Sequence, residues 1–152
     1  MLLKNFLPAA EVREYVRFYR IIHFTYDSME KLPFKAFPPK PEHCLYFYPF
    51  EGETIEYANG RKKINVHPVT LIGQQLSASK RYSLGGSMLI FQIMFQPTGL
   101  YRLTGIPSYE LNDEFLDAED IFSKEIRLIN ERLYHSRTIL KCWKLPIVLL
   151  AI

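Results

Sequence analysis

The chain has 152 residues, 48% of them hydrophobic and 14% aromatic, which suits one domain with a packed core and excludes a disordered chain. Its 19 Lys and Arg against 16 Asp and Glu leave a net charge of +3, with the basic residues scattered, which argues against nucleic-acid contact by this chain alone. Cys44 and Cys142 form neither a CxxC pair nor a disulfide framework, and no stretch approaches the ~20 apolar residues of a membrane span, so a reduced cytoplasmic compartment without membrane contact is expected.

The opening residues 1–8 are too short and interrupted for a signal peptide, and acidic Glu11 follows at once. After a short helical turn over 9–14, residues 15–24 alternate as a strand. Val16, Phe18, Ile22 and Phe24 fall on one side of it and Arg17, Tyr19 and His23 on the other. Pro33, Pro38, Pro39 and Pro41 then withhold the donors that a central strand needs and read as a rigid connection at a barrel rim. Residues 43–48 form an aromatic strand. In 52–66, Asn59-Gly60 between alternating runs predicts a hairpin with a two-residue turn. Its register pairs Ala58 with Arg61, Tyr57 with Lys62, Glu56 with Lys63 and Ile55 with Ile64.

Residues 69–74 and, after Gly85-Gly86, residues 88–95 add further strands. The latter is apolar on both faces except at Gln92, as in a central strand covered on both sides. Pro97, Leu100, Leu103 and Thr104 predict a helix of about two turns, stopped by Gly105 and Pro107. Segments 108–113 and 116–122 lead into a second helix that Ser123 could cap. Phe122, Ile126, Ile129 and Leu133 step by four, three and four along one face of it, with Lys124, Glu125, Arg127, Glu131 and Arg132 on the other. Five or six antiparallel strands with helices only at the end predict a mainly β fold, a small and partly open antiparallel barrel followed by one or two helices.

No motif in this order names a catalyst. His23, His43, His67 and His135 are isolated, and Glu42 and His43, as strand neighbours, point to opposite faces, so no metal or other cofactor is expected. Cys44 beside His43 fails as a nucleophile and base pair for the same reason, and Gly85-Gly86 reads as a turn rather than a phosphate cradle. The carboxylate pairs Asp113-Glu114 and Glu119-Asp120 lie in polar connections where solvation explains them. A non-enzymatic binding role is therefore the expectation. Tyr46 and Tyr48, on one strand face with Cys44, together with Gln74 and with Gln92 between Ile90 and Met94, are the candidate lining of a small-molecule pocket. The alternative is that these groups fill the barrel and bond to one another or to backbone.

Several of these segments share a family pattern: the strand at 88–95 breaking into the helix from Pro97 to Gly105, Leu7-Pro8 ahead of 12–19, and Val69-Thr-Leu-Ile-Gly-Gln74. In this order they resemble the sensor half of AraC-type transcription regulators, in the branch whose N-terminal domain is a small cupin-like β-barrel. The resemblance covers residues 6–134. It implies a cupin-like sensor domain over 1–118 and a linker and dimerisation helix over 119–142; the remaining 143–152 is by composition an apolar tail that is docked, covered by a partner, or a product of truncation. The resemblance further implies a homodimer through Phe122, Ile126, Ile129 and Leu133, and a small-molecule effector. DNA contact would come only through helix-turn-helix units that this sequence, ending at Ile152, does not contain. Such a stripe also suits packing on its own barrel. Many cupin enzymes hold a metal with a His-X-His pair, which is absent here. A small cupin-like enzyme and a ligand-free oligomerisation module are the competing readings.

Overall fold

A computed structural model describes residues 2–25, 34–50, 52–63, 67–83 and 86–135. Among them are the ten strands β1 (Leu2–Phe6), β2 (Val16–Thr25), β3 (Phe34–Phe37), β4 (Cys44–Phe47), β5 (Glu53–Tyr57), β6 (Lys62–Lys63), β7 (Val69–Ile72), β8 (Ser79–Ser83), β9 (Ser87–Phe95) and β10 (Phe115–Asp117). Helices α1 (Gly99–Thr104) and α2 (Glu125–His135) complete the architecture. The strands form a six-stranded sheet in the order β1-β2-β9-β4-β7-β10 and a four-stranded sheet in the order β3-β8-β5-β6. All pairings between these strands are antiparallel, and the sheets face each other without closing into a barrel. The fold is thus mainly antiparallel β with helices toward the C-terminus, as the patterning predicts.

β9 organises this arrangement. Every residue from Met88 to Phe95 is buried, because the sheet is covered on both faces. Leu89, Phe91, Ile93 and Phe95 meet Tyr19, Ile21, Leu45, Phe47 and Leu71 from neighbouring strands, together with Leu100 of α1 and Ile126, Ile129 and Leu133 of α2. Met88, Ile90 and Met94 look the other way, toward Ile55 and Tyr57 of the four-stranded sheet. The result is three layers, helices on a large sheet on a small sheet. Each large aliphatic or aromatic side chain so buried contributes about 1.5–3 kcal/mol.

Two expected registers are corrected. In β2 the pairing with β9 shifts between Val16 and Phe18, a bulge that carries Val16 to the Tyr19 side while Phe18, Ile22 and Phe24 stay on the inter-sheet side. The hairpin pairs Ile55 with Lys63 and Glu56 with Lys62, one residue off the expectation; Ile64 lies outside the described residues. A two-residue turn of the expected kind needs positive φ at both central positions, but only Gly60 has it (φ 81°). The loop is therefore Ala58-Asn59-Gly60, closed by Tyr57 N–H to Arg61 O at 2.8 Å and Gly60 N–H to Tyr57 O at 2.9 Å.

Alternation in the sequence does not mark four of these strands, β1, β3, β8 and β10. β1 is an edge strand with Leu2, Leu3, Lys4 and Asn5 exposed, so burial leaves no alternation to read. β3 ends just before Pro38, at the edge of its sheet, where the missing proline donor costs nothing. α1 begins at Gly99, after Pro97 and the Thr98 cap position, and ends in the left-handed Gly105. Segments 108–113 and 116–122 supply two 3-10 turns (Ser108–Leu111 and Ala118–Asp120) flanking β10, and the Ser123 hydroxyl accepts from Glu125 N–H at 3.2 Å as a helix cap. No helix among the described residues is long and apolar enough to cross a membrane. The expected tail over 143–152 and Cys142 lie outside the described residues.

Candidate functional site

Alternation along β5 and β8 creates the polar feature of the interior. Glu53, Ile55 and Tyr57 of β5 are buried while Thr54 and Glu56 are half-exposed; Ser79 and Arg81 of β8 are buried while Lys80 is exposed. The inner face of the small sheet therefore presents a carboxylate and a guanidinium, 3% and 5% exposed, to the large sheet. Opposite them stand Cys44 and Tyr46 of β4, Tyr48 just after it, and Gln92 of β9, which is paired with Tyr46. The Tyr48 hydroxyl donates to Glu53 Oε2 at 3.0 Å. Arg81 Nη1 stands 3.8 Å from the same oxygen, beyond hydrogen-bond range. The guanidinium is boxed by aromatic rings instead, its Cζ 4.0 Å from the Phe37 centroid, 5.5 Å from Phe115 and 5.8 Å from Tyr46.

This cluster is incompletely satisfied. Arg81 Nε, Gln92 Oε1 and Ser79 Oγ are buried with no hydrogen-bond partner. Leaving such groups unpaired costs about 1–3 kcal/mol each, and more for a charged one. Burial raises the pKa of both Tyr46 and Tyr48, so both phenols remain protonated donors. Burial pushes the Cys44 thiol up to about 12 against the opposing pull of Arg81, which keeps it a neutral packing group rather than a nucleophile. The arrangement offers one fixed cation, one carboxylate already bonded to a phenol, and an amide oxygen free to accept. That is recognition chemistry rather than bond-making chemistry.

Beside it, at the end of the small sheet where the β5–β6 loop, the start of β8 and the end of β3 meet, lies a groove of about 430 Å³. Phe37, Pro38, Tyr57, Ala58, Ser79 and Lys80 are among its walls, so Phe37 is shared by the groove and the guanidinium box. Apolar walls with a few polar groups at this volume are typical of small-ligand sites. The interior also connects to the helix layer. Buried Asn130 of α2 donates from Nδ2 to the Tyr48 carbonyl at 3.1 Å. Tyr48 thus binds Glu53 through its side chain and α2 through its backbone.

Of the residues expected to line a pocket, Tyr46, Tyr48 and Gln92 come together with Cys44, but Gln74 does not. β7 ends at Ile72, so Gln74 leaves the sheet and its Nε2 donates to Asn112 Oδ1 at 2.6 Å. Arg81, Glu53 and Phe37 were missed. Asp113, expected to be merely solvated, is a loop staple with φ 55°; its carboxylate accepts from Leu76 N–H at 2.8 Å and Ser77 N–H at 3.3 Å. The stripe expected at a dimer contact packs within the chain, the alternative that the sequence also offered. Ile126, Ile129 and Leu133 are 1%, 7% and 3% exposed within the single chain, with Phe122 packed beside them, because the large sheet offers an apolar face that this stripe covers. Among the described residues no three His, Cys, Asp or Glu side chains gather as a metal site.

Comparison of the chain with family models, with curated proteins and with solved structures gave no match.

Proposed function

We propose that this chain is a non-enzymatic effector-binding domain that works as the sensor half of an AraC-type regulator does, reporting a small molecule through the position of its last helix. The observation that carries the reading is the double attachment of Tyr48. Its hydroxyl belongs to the buried Arg81 and Glu53 cluster, while its carbonyl holds Asn130 of α2. A ligand that engages the cluster competes for Glu53 or Arg81, moves Tyr48, and so changes how well α2 fits on the large sheet. This is a population shift, limited in size by the difference in ligand affinity for the two packings. DNA contact and its regulation belong to units joined to such a domain, and a homodimer, which the resemblance implies, would use a face other than the buried stripe of α2.

A thermal-shift screen of small metabolites, followed by hydrogen exchange on any hit, tests this. A ligand at about a hundred times its Kd adds about 2.7 kcal/mol of stability, enough for a clear shift. The expected hit also changes amide exchange across α2. A screen without hits, or a bound ligand that leaves α2 exchange untouched, counts against the reading, and chemical turnover of the hit would transfer the chain to the enzymes.

A further inference from the structure

We infer that the ligand is a small organic carboxylate with an apolar body, its body in the 430 Å³ groove and its carboxylate on the Arg81 guanidinium. This rests on the reading of the inter-sheet space as an effector site. Three observations lead to it.

The first is an unmet demand for an anion. An arginine carries five N–H donors in a planar fork and is charged at every accessible pH. Here it is 5% exposed, its Nε has no acceptor, and its only described ion pair, to Glu53 Oε2, is 3.8 Å long. The same Glu53 oxygen also takes the Tyr48 hydroxyl at 3.0 Å, so the phenol and the guanidinium share one acceptor. The Nε edge of the fork is the edge that a carboxylate grips with two parallel hydrogen bonds. A cationic ligand would be repelled by the guanidinium, and a neutral one would give its Nε donor no charge-assisted acceptor.

The second is the position of the groove. Ser79 and Arg81 are alternate residues on the inner face of β8, and Ser79 lines the groove while holding a buried hydroxyl without a partner. Phe37, opposite Ser79 in the β3 and β8 register, has its ring over the guanidinium and also forms a groove wall. The inference therefore requires the Phe37 ring to turn aside on binding, with Ser79 Oγ beside it as a further donor.

The third is the character of the walls. Ala36, Phe37, Pro38, Tyr57, Ala58 and Ala78 give the groove its apolar bulk. The carboxylate that lines it, Glu56, is already engaged, by Lys62 at 3.7 Å and by the Tyr82 hydroxyl at 3.4 Å. An aromatic or short aliphatic body fits such walls and a polyhydroxylated one does not.

Calorimetric titration of the full chain with benzoate and octanoate, against benzamide and octanamide as neutral isosteres, is the test. The acids are expected to bind about tenfold or more tightly than the amides, the loss that follows from removing one charge-assisted pair. Arg81→Gln should bring acid and amide affinities together, with circular dichroism confirming the fold. Ala58→Trp, at an exposed loop position on the groove rim, should abolish acid binding with Arg81 intact. Equal affinity for acids and amides in the unaltered chain overturns the inference but leaves an effector site standing. Acids that bind undiminished to Ala58→Trp overturn the placement in the groove. Failure of both acids and amides overturns the inference alone if the metabolite screen finds another ligand that shifts α2, and overturns both readings if that screen is also empty.

Discussion

Ile126→Ala, set against Leu128→Ala, decides which face of α2 works for the fold. Ile126 is 1% exposed and packs among Leu71, Phe91 and Ile93 of the large sheet; Leu128, two residues on, is 49% exposed. Trimming Ile126 removes three carbon groups, worth about 2.4 kcal/mol at about 0.8 each, and the cavity left under a helix pinned by Asn130 adds about 1 kcal/mol, for a total near 3–4 kcal/mol. Leu128→Ala should stay within about 0.5 kcal/mol. Urea unfolding followed by circular dichroism measures both, and sedimentation velocity on the same samples measures mass. An Ile126→Ala chain as stable as the parent, or one that remains folded while a parental dimer splits into monomers, would refute the packing argument and restore this stripe to an interface between chains.

Gly73→Ala should cost about 1–3 kcal/mol in chemical denaturation, since a Cβ there runs into the backbone carbonyl of Leu111, which has no flexible end to move aside; stability unchanged from the parent would sink this. His43 is 5% exposed, and burial lowers its pKa below the ordinary 6.5, opposed by the Ser108 backbone. The unfolded chain therefore binds the proton more readily, so stability should be complete above about pH 6.5 and fall as the pH drops from there toward the lowered folded value. His43→Gln should flatten that limb of a melting profile taken from pH 8 to 5, and an unchanged slope would assign it to other groups. The pair Arg81→Met with Glu53→Gln should be neutral or stabilising by about 1–4 kcal/mol, because a long buried ion pair repays its desolvation poorly; a loss of 3 kcal/mol or more would make the cluster a keystone of the fold instead.

What could be read in the sequence follows burial. β9 was legible because a run apolar on both faces has few solutions, and α2 because Ile126, Ile129 and Leu133 repeat at helical spacing. The hairpin was legible in its existence but not its register. Asn59-Gly60 marks a reversal of the chain, yet whether one or both residues take positive φ depends on how the flanking strands meet the rest of the sheet. β2 shows the same limit, since a bulge at Val16 and Phe18 leaves no trace in the alternation that it interrupts. β1 and β10 are short strands at the two edges of the large sheet, and edges impose the least on side chains.

The candidate site escaped notice for a different reason. Tyr46, Tyr48 and Gln92 were found because they interrupt or decorate runs that are otherwise apolar, and they mark one wall. The other wall carries its signal in Ser79-Lys-Arg-Tyr-Ser83, which by composition is a surface loop. Read with period two, that segment places Ser79 and Arg81 together, and the hairpin places Glu53 with Ile55 and Tyr57 by the same rule. A carboxylate locked by alternation onto an apolar face needs a donor there, and a neighbouring strand with an arginine in phase could supply one. Local propensity disfavours this burial of charge, and the packing of the cluster repays it poorly. Places where sequence rules fail in this way tend to be functional or strained sites. The cluster that patterning hid is for that reason the strongest candidate for the work this domain does.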